Sequence, residues 1–132
     1  MSADFLDTNV LSYALGDDDK AVRAQAVLEE GGTIGVQSLN ELATVARRKL
    51  RYDWPAIHYA IAASRVLCPT IVPLTDAIHR DGLRIAECYC LTIYDSMIAA
   101  VALAAGCERL WSKDLQHGLV IDARLKVAIR FA

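Results

Sequence analysis

The sequence has no long uninterrupted apolar segment and no leader-like start. Its longest apolar run, residues 97–105, covers nine positions, whereas a membrane-spanning helix needs roughly 18 or more. The first seven residues contain neither the basic region nor the apolar stretch of a secretory signal peptide. We therefore expect a cytoplasmic protein that does not contact a membrane.

Cysteine pairs, aromatic residues and excess charge are also scarce. The four cysteines form no Cys-x-x-Cys pair, so we expect free and mostly buried thiols in a reducing compartment. Aromatic residues make up only 7% of the chain, which is sparse for a platform that stacks bases. The net charge of −2 disfavours binding of nucleic acid by bulk charge alone, although a bound metal ion would add positive charge that this count omits.

Length and composition indicate one domain. A chain of 132 residues has the size of a single ordinary domain, and 55% apolar residues supply material for its core. The three prolines are scattered, and no linker-like or repeated segment divides the chain. We expect residues 1–132 to form one unit.

Short apolar runs alternate with helical patterns, which is typical of βαβ units and a parallel sheet. The second predicted strand leads to Ser38, which together with Glu41 has the spacing of a helix-capping box. The pattern predicts an α/β fold. Strands are expected at 3–7, 33–36, 70–74 and 109–112, with terminal strands at 119–121 and 125–129, and helices at 18–30, 39–50, 54–66, 76–90 and 94–105.

Four of the sixteen acidic residues occupy special positions. Asp7 follows the first predicted strand, and Glu41 lies in the first turn of the helix after the second. Asp95 begins a very apolar helix, and Asp114 follows the fourth strand. In an open α/β sheet, strand C-termini and the N-termini of the following helices share the edge where ligands bind. We therefore expect these four carboxylates to converge.

Converging carboxylates need a counter-charge, because like charges about 5 Å apart repel by roughly 3 kcal/mol at an effective dielectric constant near 20. Oxygen-only ligands suit Mg²⁺ or Mn²⁺, and no histidine or cysteine falls at these positions. The pattern thus indicates a metal site that activates water for phosphoryl displacement.

Each acid also has a simpler structural interpretation. Asp7 could cap the next helix, and Glu41 could serve only the capping box with Ser38. Asp95 could merely complement the helix dipole, and Asp114 could be only a turn residue. Since four such coincidences at one sheet edge are less probable than one shared site, we favour the site.

Four segments resemble the motifs of PIN-domain ribonucleases. They are FLDTNVL at 5–11, EL at 41–42, YDSMIAAVA at 94–102 and WSKDLQHG at 111–118. They occur in the order and at the spacing of that family across essentially the whole chain. Because the resemblance covers a single domain of minimal length, the chain is similar to the toxins of VapBC-type bacterial toxin–antitoxin pairs.

The resemblance implies a fold, an activity and partners. The fold would be a three-layer sandwich with a central, mainly parallel β-sheet flanked by helices. The activity would be Mg²⁺- or Mn²⁺-dependent endonucleolytic cleavage of RNA that inhibits growth. The partners would be an RNA substrate and a cognate antitoxin, in a homodimer or a larger toxin–antitoxin assembly.

The resemblance also implies roles for individual residues. One departure is Lys113, which stands where many relatives carry a further acid and so argues against a second tightly held metal. The catalytic acids would be Asp7, Glu41, Asp95 and Asp114. Asp7, Asp95 and Asp114 would hold the metal, and Glu41 would position or deprotonate water. The polar supports would be Thr8, Asn9 and Ser112.

A basic cluster that includes Arg47 and Arg48 lies late in the Glu41 helix. Arg48 falls on the same helix stripe as Glu41, roughly 10 Å further along the axis, where a neighbouring RNA phosphate would fit. A solvated basic face near a helix C-terminus explains the cluster equally simply. Trp54 and Trp111 are most simply core or helix-staple residues.

Small apolar residues predict where an inhibitor would bind. Ala21 and Ala24 on one helix and Val45 on another lie outside the main apolar stripes. We expect them to line a groove for a partner helix, beside which a partner arginine would reach the acidic cleft.

Two other functions have to be weighed against the ribonuclease. A phosphatase with an aspartate nucleophile would carry an Asp-x-Asp motif, but Asp7 is followed by Thr8 and Asn9. A non-catalytic binding module would have no reason to keep four mutually repelling acids. The ribonuclease is the interpretation that uses all four.

Overall fold

Helices and strands alternate along the part of the chain that the computed structural model describes, residues 4–113 and 115–128. The boundaries agree with the predicted elements to within a few residues. The strands are β1 (Asp4–Leu6), β2 (Thr33–Gly35), β3 (Thr70–Val72), β4 (Arg109–Trp111), β5 (Val120–Ile121) and β6 (Leu125–Ala128), and the helices are α1 (Thr8–Tyr13), α2 (Asp19–Glu29), α3 (Val36–Arg48), α4 (Trp54–Leu67), α5 (Asp76–Tyr89) and α6 (Ile93–Ala104).

The strands of the described residues form one sheet in the order β3-β2-β1-β4-β6-β5. All neighbouring pairs are parallel except β5 and β6, which form an antiparallel hairpin at one edge. Parallel neighbours require crossover connections; α1 and α2 connect β1 to β2, α3 and α4 connect β2 to β3, and β5 lies in the connection from β4 to β6. The predicted α/β fold with a mainly parallel central sheet is confirmed.

Both faces of the sheet are covered, which makes the fold three layers thick. Phe5 and Leu6 are adjacent in β1, so their side chains point to opposite faces, and they belong to two different core clusters. On the Phe5 side lies α6, whose residues from Ser96 to Leu103 are all buried. A helix that is apolar on all sides is expected to be buried in this way.

The start of α3 differs from the prediction. Gly35 is the N-cap, and α3 begins directly at Val36, so Ser38 lies inside the first turn and the predicted Ser38–Glu41 capping box is wrong. Gly35 has the extended backbone of an N-cap, with φ of −100° and ψ of 157°, and glycine is accepted at that position. The chain therefore passes from β2 directly into α3, two residues before Ser38.

The predicted partner groove on α2 is also wrong. Ala21 and Ala24 are buried, with Ala24 fully inside the core. The physical reason is α1, which packs against both α2 and α3 and fills the space between them. An Ala24→Glu change would therefore bury a charge in the core instead of selectively blocking a partner.

The two tryptophans have different environments. Trp111 is 6% exposed and donates from its indole nitrogen to Asp4, so its predicted core position is confirmed. Trp54, predicted to be a core or helix-staple residue, is 54% exposed at the first position of α4, so the core interpretation is wrong. Trp54 lies against Arg47 at the surface instead.

All four cysteines are free. Cys68 and Cys107 are buried, as predicted, whereas Cys88 and Cys90 are exposed. Burial raises the pKa of the Cys68 thiol to about 11, because a thiolate loses its hydration inside the protein.

Within the described ranges, no single helix is long and apolar enough to cross a membrane. The pair α5 and α6, bent by 119° at the break between the two helices, passes the same criterion by length and composition alone.

Candidate active site

Asp7 lies at the carboxyl end of β1, where the strand turns into α1. Its backbone N–H donates to the carbonyl of Trp111, which continues the pairing of β1 with β4 for one more residue. Its carboxylate accepts hydrogen bonds from the Thr8 backbone N–H at 2.6 Å and from the Ser112 hydroxyl at 3.0 Å. Asp7 is therefore the N-cap of α1 and is also a buried carboxylate held in one orientation.

Ser112 and Asp7 follow parallel neighbouring strands. Ser112 is 1% exposed, and its backbone N–H donates to the carbonyl of Ala128. Because the carboxyl ends of parallel strands meet at one edge of a sheet, the end of β4 brings this hydroxyl to Asp7.

Glu41 reaches the same place from α3. One carboxylate oxygen accepts from the Thr8 hydroxyl at 2.6 Å, and the other accepts from the Gln37 side-chain amide at 3.3 Å. Thr8 therefore donates to both acids, through its N–H to Asp7 and through its hydroxyl to Glu41. The sequence analysis missed Gln37, although its spacing of four residues from Glu41 on one helix was a usable signal.

Asp95 lies in the first turn of α6, where its N–H donates to the Thr92 cap at 3.2 Å. Only residues 105–108 separate the end of α6 from the start of β4. One turn after Asp95, Ile98 borders a small cavity together with Phe5 and Gln37. Asp95 thus begins a segment that packs beside the segments carrying Asp7 and Glu41.

The predicted acids supply only oxygen donors, but among the described residues Asp7, Glu41 and Asp95 do not form one cluster. Asp7, Glu41 and Asp95 offer only oxygen, and Asn9 has a buried amide oxygen that lacks a hydrogen-bond partner within the described ranges. Oxygen donors of this kind suit Mg²⁺ or Mn²⁺. The described residues contain no group of three His, Cys, Asp or Glu side chains close enough to hold a metal together, and Asp114 lies outside those residues.

Another buried acid, Asp4, serves a structural purpose. It lies at the opposite end of β1 from Asp7, accepts two hydrogen bonds from the Arg109 guanidinium, and accepts a third from Trp111. The ion pair raises the pKa of Arg109 through its hydrogen bonds to Asp4. This cluster ties β1 to β4, because Asp4 and Arg109 are partners in the parallel register.

Arg47 and Arg48 are both exposed in the last turn of α3. They border a surface cavity of about 310 Å³ with Ala43, Thr44 and Trp54. The structure thus places the predicted basic residues on the helix that carries Glu41, but next to an aromatic side chain that the sequence analysis assigned to the core.

Three solved structures have a similar fold. VapC20 from Mycobacterium tuberculosis, described as a toxin that cleaves the sarcin-ricin loop, has a TM-score of 0.63 and 13% identity over 83% of this chain and 88% of that chain. A toxin–antitoxin complex from Klebsiella pneumoniae has a TM-score of 0.62 and 18% identity over 83% and 84%. FitAcB from Neisseria gonorrhoeae has a TM-score of 0.64 and 22% identity over 84% and 87%. At sequence identities this low, the structural similarity shows a shared fold alone.

A search of curated protein sequences found no match to this chain. The family model of the PIN domain matches residues 5–119. This range includes Asp7, Glu41, Asp95 and Asp114 and extends over most of the chain. The protein belongs to the PIN domain family.

Proposed function

We propose that residues 1–132 act as one Mg²⁺- or Mn²⁺-dependent endoribonuclease domain and that the protein is the toxin of a type II toxin–antitoxin pair. The observation that carries the proposal is the pairing of two acids, Asp7 and Glu41, through a single residue, Thr8. Membership of the PIN family supports the nuclease, and similar structures described as a toxin and a toxin–antitoxin complex support the biological role.

In this proposal, Asp7, Asp95 and Asp114 hold the metal. When bound, the divalent ion supplies water activation and positive charge for an in-line phosphoryl displacement. Ser112 and the Thr8 N–H fix the Asp7 carboxylate, so that it does not have to reorganise when the ion binds. The buried amide oxygen of Asn9 is a further acceptor for a proton of a bound water.

Glu41 orients the attacking water and accepts its proton. Each of its oxygens accepts a hydrogen bond from the protein, which fixes the carboxylate plane while other lone pairs stay available. Thr8 and Gln37 therefore act as positioning residues for this acid. Arg47 and Arg48 contact RNA phosphates on the substrate side of α3.

We also propose an antitoxin partner that inserts an arginine among these carboxylates, where a bidentate guanidinium would compete with the metal. A helix of that partner would find apolar surface in the groove between α1, α2 and α4, which has a volume of about 250 Å³ and includes Leu11, Ala14 and Leu67. The protein also self-associates, either as a homodimer or within a larger toxin–antitoxin assembly.

The test is cleavage of labelled RNA by the purified full chain with Mg²⁺, with Mn²⁺ and with EDTA. Asp95→Asn should lower metal-dependent cleavage by orders of magnitude and leave the melting temperature close to that of the wild type. The matched control is Asp76→Asn, which removes an exposed acid from the first turn of another helix, α5. Wild-type cleavage by folded Asp95→Asn, or cleavage that persists in EDTA, would refute the proposed site.

A further inference from the structure

A large aromatic side chain lies exposed between cations at the junction of α3 and α4. Trp54 is 54% exposed, and the guanidinium carbon of Arg47 lies 4.5 Å from the centre of its ring. Arg48 is also exposed, and the three residues line one cavity of about 310 Å³. We call Arg47, Arg48 and Trp54 the Trp54 patch.

The arginines of the Trp54 patch have no ion-pair partner in the part of the chain that the structure describes. The neighbouring Lys49 and Arg51 add two more cations. Asp53, which precedes Trp54, uses its carboxylate to cap α4 through the Ala56 N–H. A mainly basic surface around an aromatic ring has chemistry that complements a phosphate chain and a base.

The Trp54 patch also lies in line with the candidate active site. Thr44 borders the cavity and follows Glu41 by three residues on the same helix, and Arg48 follows Glu41 by seven. Residues with these spacings lie on one face of a helix. At 1.5 Å per residue, Arg48 lies roughly 10 Å along the axis from Glu41. A strand of nucleic acid that leaves the acidic site along this face meets the arginines and then the exposed ring.

We propose that the Trp54 patch binds single-stranded RNA next to the cleavage site, with one base stacked on Trp54 and the adjoining phosphates on Arg47 and Arg48. Every base has a π-face, so such stacking tolerates many sequences, while arginine contacts hold the backbone. The observations favour RNA over a protein partner, because the only aliphatic groups among the residues that line the cavity are Ala43 and the methyl group of Thr44. The inference rests on the proposed nuclease function.

The test separates stacking from charge by measuring the affinity of the full chain for a labelled single-stranded RNA in EDTA at several salt concentrations. Trp54→Ala should weaken binding by roughly 5- to 150-fold, the range for loss of one stacked base, without changing the salt dependence. Arg47→Gln with Arg48→Gln should instead lower the slope of log affinity against log salt by about 1.4, since each phosphate contact contributes about 0.7 for single strands. Trp54→Phe should retain most of the affinity.

The matched controls lie on α4. Tyr59→Ala removes an aromatic side chain that is 78% exposed, and Arg65→Gln removes an exposed cation from the last turn of that helix; both should bind RNA like the wild type. A melting curve of each variant should be recorded to check that the variant is folded. The proposal is overturned if folded Trp54→Ala binds RNA like Tyr59→Ala, or if only binding of a protein partner changes.

The outcomes for the Trp54 patch and for the nuclease are separable. If the wild type cleaves RNA while the patch variants keep wild-type affinity, the RNA site is wrong and the nuclease stands. If the wild type binds RNA through Trp54 but cleaves none with Mg²⁺ or Mn²⁺, the RNA site stands and the nuclease is wrong.

Discussion

The Thr8 hydroxyl donates a hydrogen bond of 2.6 Å to Glu41, a residue 33 positions later in the chain. The same residue donates its N–H to Asp7, so one threonine orients an acid from β1 and an acid from α3. Thr8 is only 6% exposed, which shields both hydrogen bonds from competition with water.

Replacing Thr8 with valine should therefore impair the site more than the fold. Valine keeps the shape but leaves one Glu41 oxygen without its donor, which costs about 1–3 kcal/mol of stability at most. RNA cleavage should fall by about 10- to 100-fold, as is typical when the support of a metal-site residue is lost. Thr8→Ser restores a hydroxyl and should recover most of the rate in a single-turnover assay. Equal rates for the valine and serine variants would contradict this role.

Metal binding should stabilise the folded protein through Asp7. An ion that binds only the native state adds about 2.7 kcal/mol of unfolding free energy at a hundredfold excess over its dissociation constant. Millimolar Mn²⁺ should raise the melting temperature of the wild type and of the Asp76→Asn control, and should raise that of Asp7→Asn much less. The measurement is thermal unfolding with and without Mn²⁺. The same shift in all three proteins would place the metal elsewhere.

The Arg84–Asp122 ion pair predicts a pH-dependent contribution to stability. Hydrogen bonds from Arg84 hold the pKa of Asp122 below its ordinary value of 3.8, and Tyr89 adds to this effect. The folded pKa is thus below the unfolded one, so the stabilisation is fully present above the unfolded pKa and disappears as pH falls through the folded pKa.

The matched variant for this prediction is Asp122→Asn. Asp122 has a φ of 54°, which asparagine tolerates well, so the change removes charge without straining the backbone. Urea unfolding should show the wild type as the more stable protein at pH 7, by a small amount because water reaches both partly exposed side chains of the pair. The difference should shrink below pH 4 and in high salt. A difference that grows on acidification would be inconsistent with the lowered pKa.

The four thiols should fall into two classes. Cys88 and Cys90 are exposed, whereas Cys68 and Cys107 are buried, and burial raises the pKa of both buried thiols, that of Cys68 to about 11. Because the thiolate is the reactive form, an alkylating reagent at pH 7.5 should modify two cysteines rapidly and the other two only after urea is added. Peptide mass mapping identifies them. Rapid modification of Cys68 in the native protein would contradict its burial.

Local pattern was enough to predict the α/β class and most of its elements. Alternating short apolar runs and amphipathic segments define strands and helices through side-chain periodicity, and the apolar stretch after Asp95 predicted the buried helix α6. The positions of Asp7 and Asp95, at a strand end and in a helix first turn, followed from the same patterns.

The contacts of the site depended on residues far apart in the chain. The sequence paired Glu41 with Ser38, three residues away, whereas the fold pairs it with Thr8 and Gln37. The difference arises because α3 begins at Val36 with Gly35 as its N-cap, which places Ser38 inside the first turn. The contact between Thr8 and Glu41 joins residues 33 positions apart, and no local pattern encodes it.

Tertiary structure likewise decided which apolar side chains are buried. From the sequence, Ala24 was predicted to be available to a partner, but in the structure it is buried. Trp54 was predicted to be a core or helix-staple residue, but it is exposed at the start of α4 and lies against Arg47. Residue type and periodicity determine which side chains prefer burial. Which of them are buried depends on the helices that pack above them, and that packing is set by contacts between segments distant in sequence.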